Sequence, residues 1–157
     1  MSDPVRVAVL SGSPSDAEFV ELCAGILGEY GIAHDCQVLS AHRRGDALRD
    51  YVAQIEARGC QVFVCMAGMA AHLPGVVASL TTKPVLGVPL KGGILEGLDA
   101  LLSVVQMPAG VPVACLAVGS AGARNAAHLA AQILSLADEG LAATLRANKE
   151  AMAEGRG

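Results

Sequence analysis

The chain alternates between short apolar runs and longer segments of helical periodicity, and Gly, Pro or Ser residues separate them. Residues 5–10 form a largely apolar run typical of a buried strand. Apolar residues between Phe19 and Tyr30 then recur at the spacing of an amphipathic helix that ends at Gly31. Further strands are predicted at about 34–39, 61–66, 84–88 and 112–117, and further helices at about 48–58, just after Pro74, and at about 98–105, 123–137 and 139–154.

Regular alternation of strands and helices with short connections predicts βαβ units and a parallel sheet. Because the strands are mainly apolar, we expect helices to cover both faces of the sheet. The predicted architecture is α/β, a three-layer, doubly wound, flavodoxin-like sheet in a single domain over residues 1–157. Such sheets bind ligands outside the carboxyl ends of their strands, so the residues that follow each strand are the candidates for a site.

The last helix, at about 139–154, is an addition to this pattern. Its apolar residues are few and widely spaced, namely Leu141, Leu145 and Met152. Two arrangements stay open, because the helix can pack on its own core or on a neighbouring subunit.

Composition raises the question of what covers the apolar surface. Of the 157 residues, 53% are hydrophobic and 17% are charged, whereas soluble domains have roughly 25% charged residues. The uncharged stretch at 100–123 is long enough to span a bilayer, but Pro108 and Pro112 would break a helix there. The first residues also lack the pattern of a signal peptide. We therefore expect no membrane segment, a cytoplasmic location and an oligomer.

Charge and cysteine content exclude other classes of partner and of chemistry. The net charge is −4 and the chain contains no run of Lys or Arg, so nucleic acid is not an expected partner. Five cysteines, an odd number without a CxxC pair, lie in apolar patterns and are expected to be reduced core residues. No spacing of His, Cys or acidic residues is typical of a metal site, so no metal is expected.

Hydroxyl groups, an acid and a glycine follow the first predicted strand. Ser13, Ser15 and Asp16 stand in the segment SGSPSD, which leads into a helix. Such a loop can offer amide and hydroxyl donors to an anion. The alternative is a simple helix cap provided by Ser15 or Asp16.

Two histidines follow neighbouring strands. Ser40, His42 and Arg43 come after the second strand, where a guanidinium suits a phosphate or carboxylate and an imidazole suits proton transfer. His72 follows the third strand in a loop of small residues that would let a planar ligand approach the backbone. A solvated loop at residues 40–44 and a structural His72 are the alternatives.

The remaining loops carry weaker signals. The segment 91–93, Lys-Gly-Gly, is a glycine-rich loop that could close over a ligand, and residues 119–125 are typical of helix entry and tight packing. His34 and His128 fall in a predicted strand and helix, and we expect both to be structural or solvent-facing. Hydroxyls, two histidines, arginine and one acid suit a phosphorylated ligand that undergoes proton transfer.

Five motifs occur in order over about residues 5–137. They are Gly12-Ser13-x-Ser15-Asp16, Ser40-Ala41-His42-Arg43, Ala67-Gly68-x-Ala70-Ala71-His72-Leu73-Pro74-Gly75, Leu102-Ser103-x-x-Gln106-Met107-Pro108 and Gly122-Ala123-x-Asn125-Ala126-Ala127. Together they resemble the class I PurE family, the N5-carboxyaminoimidazole ribonucleotide mutases of purine biosynthesis.

The resemblance implies a carboxyl transfer from the exocyclic nitrogen of N5-carboxyaminoimidazole ribonucleotide to ring carbon C4, without ATP, biotin, metal or another cofactor. It also implies an octamer with sites at subunit junctions. His42 matches the family's general acid/base, and His72 lines the site beside the imidazole. The implied substrate-binding residues are Ser13, Ser15, Asp16, Ser40, Arg43, Gly68, Ala71 and Leu73.

The chain departs from the family pattern at three places. Arg44-Gly45 stands where Thr-Pro is usual, Met69 where Gly is usual, and Ala100 where Ser is usual. Two alternative functions stay open. One is the direct carboxylation of aminoimidazole ribonucleotide by CO2, the class II activity, although residues 70–74 favour the mutase. The other is a flavin-binding module without catalysis, for which the aromatic residues are poorly placed.

Overall fold

The computed structural model describes residues 4–155 and confirms the predicted α/β architecture. Within these residues the strands form one parallel, five-stranded sheet of order β2-β1-β3-β4-β5. The strands are β1 (Val7–Ser11), β2 (His34–Val38), β3 (Val62–Gly68), β4 (Val85–Leu90) and β5 (Ala114–Cys115). A 3₁₀ turn (Pro14–Asp16) precedes α1 (Ala17–Glu29), and α2 (Gly45–Ala57), α3 (Leu73–Leu80), α4 (Leu98–Val105), α5 (Ser120–Ser135) and α6 (Glu139–Ala153) follow.

The sheet separates two apolar layers, because successive residues of a strand point to opposite faces. In β1, Val7 and Val9 join the layer under α1 and α5, whereas Ala8 and Leu10 join the layer under α2, α3 and α4. Strand β3 is divided in the same way. In β1 and β3 the side chains alternate between the two faces of the sheet, and every residue of these strands except Gly68 is buried. Helices therefore cover both faces, which gives the domain three layers.

Small residues bring the layers into close contact. An ideal Cβ atom on Gly122, in α5, would lie 1.7 Å from the carbonyl oxygen of Ala117, so no side chain fits there. A Cβ atom on Gly87, in β4, would lie 2.4 Å from a methyl group of Val104. These contacts account for part of the unusual Ala and Gly content and hold α5 and α4 directly on the sheet.

Two edge strands differ from the sequence prediction. The residues of β2 are half-buried or exposed, so this strand is not covered on both faces as expected. Its sequence, HDCQV, is mainly polar, and it lies at the edge of the sheet. The other edge strand, β5, comprises only Ala114–Cys115, whereas a strand over 112–117 was predicted.

The cysteines also differ in part from the prediction. All five are free thiols, but Cys36 is exposed and Cys115 is half-buried, so these two are not core residues. Both belong to the edge strands. Burial raises the pKa of the Cys60 thiol to about 11 and that of Cys23 to about 12, so these two thiols are unreactive near neutral pH.

The last helix packs on the chain's own core through its first turns. Leu141 of α6 is buried in the layer under α1 and α5, and Leu145 packs against that layer. The Asp138 carboxylate caps the helix by accepting from the Leu141 amide at 3.1 Å, and it also pairs with Arg6 at 2.8 Å. Met152, farther along α6, is exposed. No helix within residues 4–155 has the length and apolar character needed to cross a membrane.

Candidate active site

A cavity of about 450 Å³ opens at the carboxyl ends of the strands, where the doubly wound fold predicts a site. The loops that follow β1, β2, β3 and β4 form its walls. The lining residues are Gly12, Ser13, Ser15, Asp16, Ser40, Ala41, His42, Arg43, Ala67, Gly68, Met69, Ala70, His72, Leu73, Lys91 and Gly92.

The loop after β1 presents hydroxyl groups and one carboxyl group. Ser13 caps the 3₁₀ turn, since its hydroxyl accepts from the Ser15 amide at 3.3 Å and from the Ser15 hydroxyl at 2.9 Å. Ser13 thus caps the 3₁₀ turn, whereas Asp16, the residue before α1, makes no side-chain capping hydrogen bond, and Ser15 is no cap. Partial burial raises the pKa of the Asp16 carboxyl, although hydrogen bonds from Ser13 and Ser15 partly oppose this shift. Capping and cavity lining are therefore combined in one loop.

The loop after β2 contributes a cation and an imidazole. The Arg43 Nε group donates to the Ser40 hydroxyl at 3.4 Å, a long contact that leaves most of the guanidinium donors available. Ser40 also closes the turn into α2, because its carbonyl accepts from the Arg44 amide at 2.9 Å. Arg43 lines the cavity, whereas Arg44 does not.

The two histidines of the cavity contact each other. The Nε2 atom of His42 lies 2.6 Å from the Nδ1 atom of His72, and the ring planes meet at 84°. At this distance one nitrogen holds a proton and the other accepts it, so the pair can hand a proton from one ring to the other. Both side chains are exposed to the cavity side of the sheet.

The loop that carries His72 is tightly turned. The Ala71 amide donates to the Met69 carbonyl at 2.9 Å, and the His72 amide donates to the Ala70 carbonyl at 2.8 Å. Met69 has a φ of +55°, a left-handed conformation that glycine adopts freely and other residues seldom do. The glycine usual in the family therefore fits this position better than the methionine found here.

The structure brings nearly all of the predicted site residues together. The exception is Ala71, which is buried in the core and does not line the cavity. His34 and His128 lie elsewhere, as predicted: His34 Nδ1 bonds the Ile32 carbonyl and His128 Nδ1 bonds the Tyr30 hydroxyl, each at 2.8 Å. Residues 119–125 also lie outside the lining and form the entry to α5.

Lys91 lines the cavity together with Gly92, which agrees with the prediction that the loop 91–93 could close over a ligand, although no role was predicted for the lysine itself. The signal that could have found it is its position directly after Leu90, the last residue of a buried strand. Within residues 4–155 no cluster of three His, Cys, Asp or Glu side chains is close enough to hold a metal ion. The cavity thus has hydroxyls and a guanidinium that can bind an anion at one side, and at the other a histidine pair that can transfer a proton, beside an apolar wall.

Comparison with known proteins agrees with this arrangement. The family model of AIR carboxylase matches residues 6–155. N5-carboxyaminoimidazole ribonucleotide mutase of Brucella melitensis is 49% identical over 154 residues, which cover 96% of this chain and 95% of the relative. The mutase of Escherichia coli K12 is 48% identical over 140 residues, which cover 89% of this chain and 83% of the relative.

Solved structures show the same fold. PurE of Treponema denticola superposes with a TM-score of 0.86 at 28% identity, and the match covers 95% of this chain and 92% of that one. A 3-dehydroquinate dehydratase-like protein of Bifidobacterium longum matches with a TM-score of 0.54 at 15% identity, covering 83% of this chain and 98% of that one. The second likeness concerns the fold alone.

Proposed function

The chain belongs to the AIR carboxylase family, and from this premise we propose that it converts N5-carboxyaminoimidazole ribonucleotide into 4-carboxy-5-aminoimidazole ribonucleotide. The observation that carries the proposal is the 2.6 Å contact between His42 and His72 in a cavity that also holds hydroxyls and a guanidinium suited to a phosphate. The relatives at 48–49% identity bear the name of this mutase.

A balanced reaction requires one proton to arrive and one to leave. Loss of CO2 from the exocyclic nitrogen breaks an N–C bond, and that nitrogen takes up a proton. Ring carbon C4 then attacks the CO2 to form the new C–C bond, and the proton on C4 departs. A single imidazole that first donates and then accepts a proton satisfies both steps. We assign this role to His42, with His72 as its hydrogen-bond partner.

The CO2 formed in the first step must not escape. The wall beside His72 is apolar: Gly68 ends β3, Met69 and Ala70 follow it, and Leu73 begins α3. An apolar wall of this kind would hold a nonpolar gas molecule close to C4. Ala71 supports this loop from the core, because it is buried and its amide closes the turn onto Met69.

The phosphate and ribose would lie on the β1 and β2 side of the cavity. The hydroxyls of Ser13, Ser15 and Ser40 and the Arg43 guanidinium suit a phosphate, since charge-assisted hydrogen bonds are the strong ones. Asp16 suits the ribose hydroxyls as an acceptor. Anchoring the ribotide at this end positions its imidazole next to the histidine pair, which supplies much of the rate enhancement.

The assay that tests this function is a comparison of two substrates with the purified protein. We expect product from N5-carboxyaminoimidazole ribonucleotide without added bicarbonate. We expect little product from aminoimidazole ribonucleotide unless bicarbonate is raised to millimolar levels. The opposite preference would replace the mutase with the direct carboxylase, and no product from either substrate would overturn both.

We also propose that the chain is one domain over residues 1–157, that it assembles as an octamer in the cytoplasm, and that α6 contacts a neighbouring subunit. Large apolar side chains stay exposed along α4 and the loop before it, which supports an interface. These are Ile94, Leu95, Leu98, Leu102 and Val105. The exposed Cys36 thiol is free, and a free exposed thiol suits a reducing compartment, which supports the cytoplasmic location. Light scattering is expected to give about eight times the mass of one chain, and a monomer would overturn the octamer.

A further inference from the structure

Lys91 is a cavity residue that has no role in the reaction described above. It follows β4 directly, and its side chain is exposed. Within residues 4–155 its ammonium group takes part in no ion pair and no hydrogen bond. A cation that lines a ligand cavity without a protein partner is available to an anionic group of the ligand.

The backbone of Lys91 passes close to two glycines. An ideal Cβ atom on Gly97 would lie 3.4 Å from the Lys91 Cα atom, and one on Gly68 would lie 3.7 Å from the Lys91 carbonyl oxygen. Gly68 also pairs with Leu90 in the β3–β4 register. The backbone of Lys91 therefore lies beside Gly68, the residue from which the chain enters the loop that carries His72.

The two cations of the cavity lie at opposite ends. Arg43 follows β2 and Lys91 follows β4, and strands β1 and β3 lie between them. With about 4.8 Å between neighbouring strands, the axes of β2 and β4 are about 14 Å apart. The carboxylate that lines the cavity, Asp16, follows β1 and so lies nearer the Arg43 end.

This charge distribution matches a ligand with an anion at each end. The ribotide carries its phosphate at one end and its carboxylate on the imidazole at the other. We infer that the Lys91 ammonium binds the carboxylate of the carboxylated ribotide, and that Lys91 is thereby a residue that distinguishes carboxylated from decarboxylated ribotide. The inference rests on the proposed function and extends it, because it assigns a second cation to the site.

The test compares two ligands that differ by this carboxylate. Affinities of aminoimidazole ribonucleotide and 4-carboxy-5-aminoimidazole ribonucleotide are measured by calorimetry on the parent protein and on Lys91→Gln. Loss of one hydrogen bond to a charged group lowers affinity about tenfold. We expect that loss for the carboxylated ribotide and a change of less than about twofold for the other. Lys91→Arg keeps the charge and is expected to keep the discrimination.

The control variant is Lys149→Gln, which removes an exposed lysine of α6 that does not line the cavity. It is expected to change neither affinity. Equal weakening of both ribotides by Lys91→Gln would place the ammonium at the phosphate and overturn the inference, as would no change in either. If the parent protein binds neither ribotide, the proposed function itself fails, and this result is distinct from both.

Discussion

His42 and His72 are thirty residues apart in the chain, yet their ring nitrogens lie 2.6 Å apart. The contact arises because β2 and β3 flank β1, so the loops that follow them meet across the carboxyl end of β1. The nearly perpendicular rings point a nitrogen of one imidazole at a nitrogen of the other. The pair can therefore hold one proton between two bases at the wall of the cavity.

Replacing His42 by Asn tests its role in proton transfer. We expect turnover to fall by about 10²–10⁴-fold, because general acid/base catalysis is lost while the anion-binding residues remain. Affinity for the ribotide, measured by calorimetry, is expected to stay nearly unchanged. His128→Asn is the matched control, since His128 bonds Tyr30 outside the cavity. Full activity of His42→Asn would refute the assignment.

The histidine pair is expected to act as one unit. His72→Asn should lower turnover, and the double variant with His42→Asn should be no slower than His42→Asn alone, because residues in one proton path are strongly non-additive. The measurement is kcat for both single variants and for the double variant. Independent, multiplicative losses would show that the two rings serve different steps.

Arg43 and Arg44 form a natural pair of variants. Arg43 lines the cavity and Arg44 does not, although they are neighbours in the chain. We expect Arg43→Ala to raise KM about tenfold with little change in kcat, because a charged hydrogen bond to the phosphate is lost. Arg44→Ala should leave KM unchanged. Equal effects of the two substitutions would indicate only a general loss of positive charge.

Asp16 is expected to reduce the stability of the free protein near neutral pH. Burial raises the pKa of this carboxyl above its ordinary value of 3.8, so the folded state holds the proton more tightly than the unfolded state. Its contribution to the free energy of unfolding therefore falls as the pH rises from 3.8 through the raised pKa, and stays low above it.

Asp16→Asn removes this penalty. We expect a higher Tm at pH 7, a smaller gain as the pH is lowered towards 3.8, and weaker ribotide binding. Thermal unfolding followed by circular dichroism at several pH values measures the gain. Asp50→Asn, which changes an exposed carboxylate of α2, is the control and should show no such gain. A lower Tm for Asp16→Asn at pH 7 would contradict the prediction.

Substitution of Met69 measures how much its left-handed backbone conformation lowers the free energy of unfolding. Its φ of +55° is unfavourable for a residue with a Cβ atom, and its side chain is 61% exposed, so little packing is lost on truncation. We expect Met69→Gly to raise the free energy of unfolding by about 1 kcal/mol, as measured by denaturant titration. Ala143→Gly, in the helical backbone of α6, should lower it by about 1 kcal/mol.

Much of the fold follows from the sequence because the signals are local. Helix α4 begins and ends where its periodicity predicts, at Leu98 and Val105. The edge strands are the failures. Strand β2 lies where it was predicted but is half-buried or exposed, because its residues are mainly polar and it has a neighbour on one side only. Strand β5 is two residues long, because the extent of an edge strand depends on pairing with a single neighbour.

The sequence by itself determined the order of strands and helices, the family, and the loops that carry hydroxyls, imidazoles and Arg43, since these depend on spacing and residue type. Tertiary structure alone decided which loops meet. It brought His42 against His72, placed Lys91 opposite Arg43, and left Ala71 outside the cavity. The reason is that the strand order, β2-β1-β3-β4-β5, sets the distances between loops that are far apart in the chain. The strand order cannot be read from the local spacing of residues.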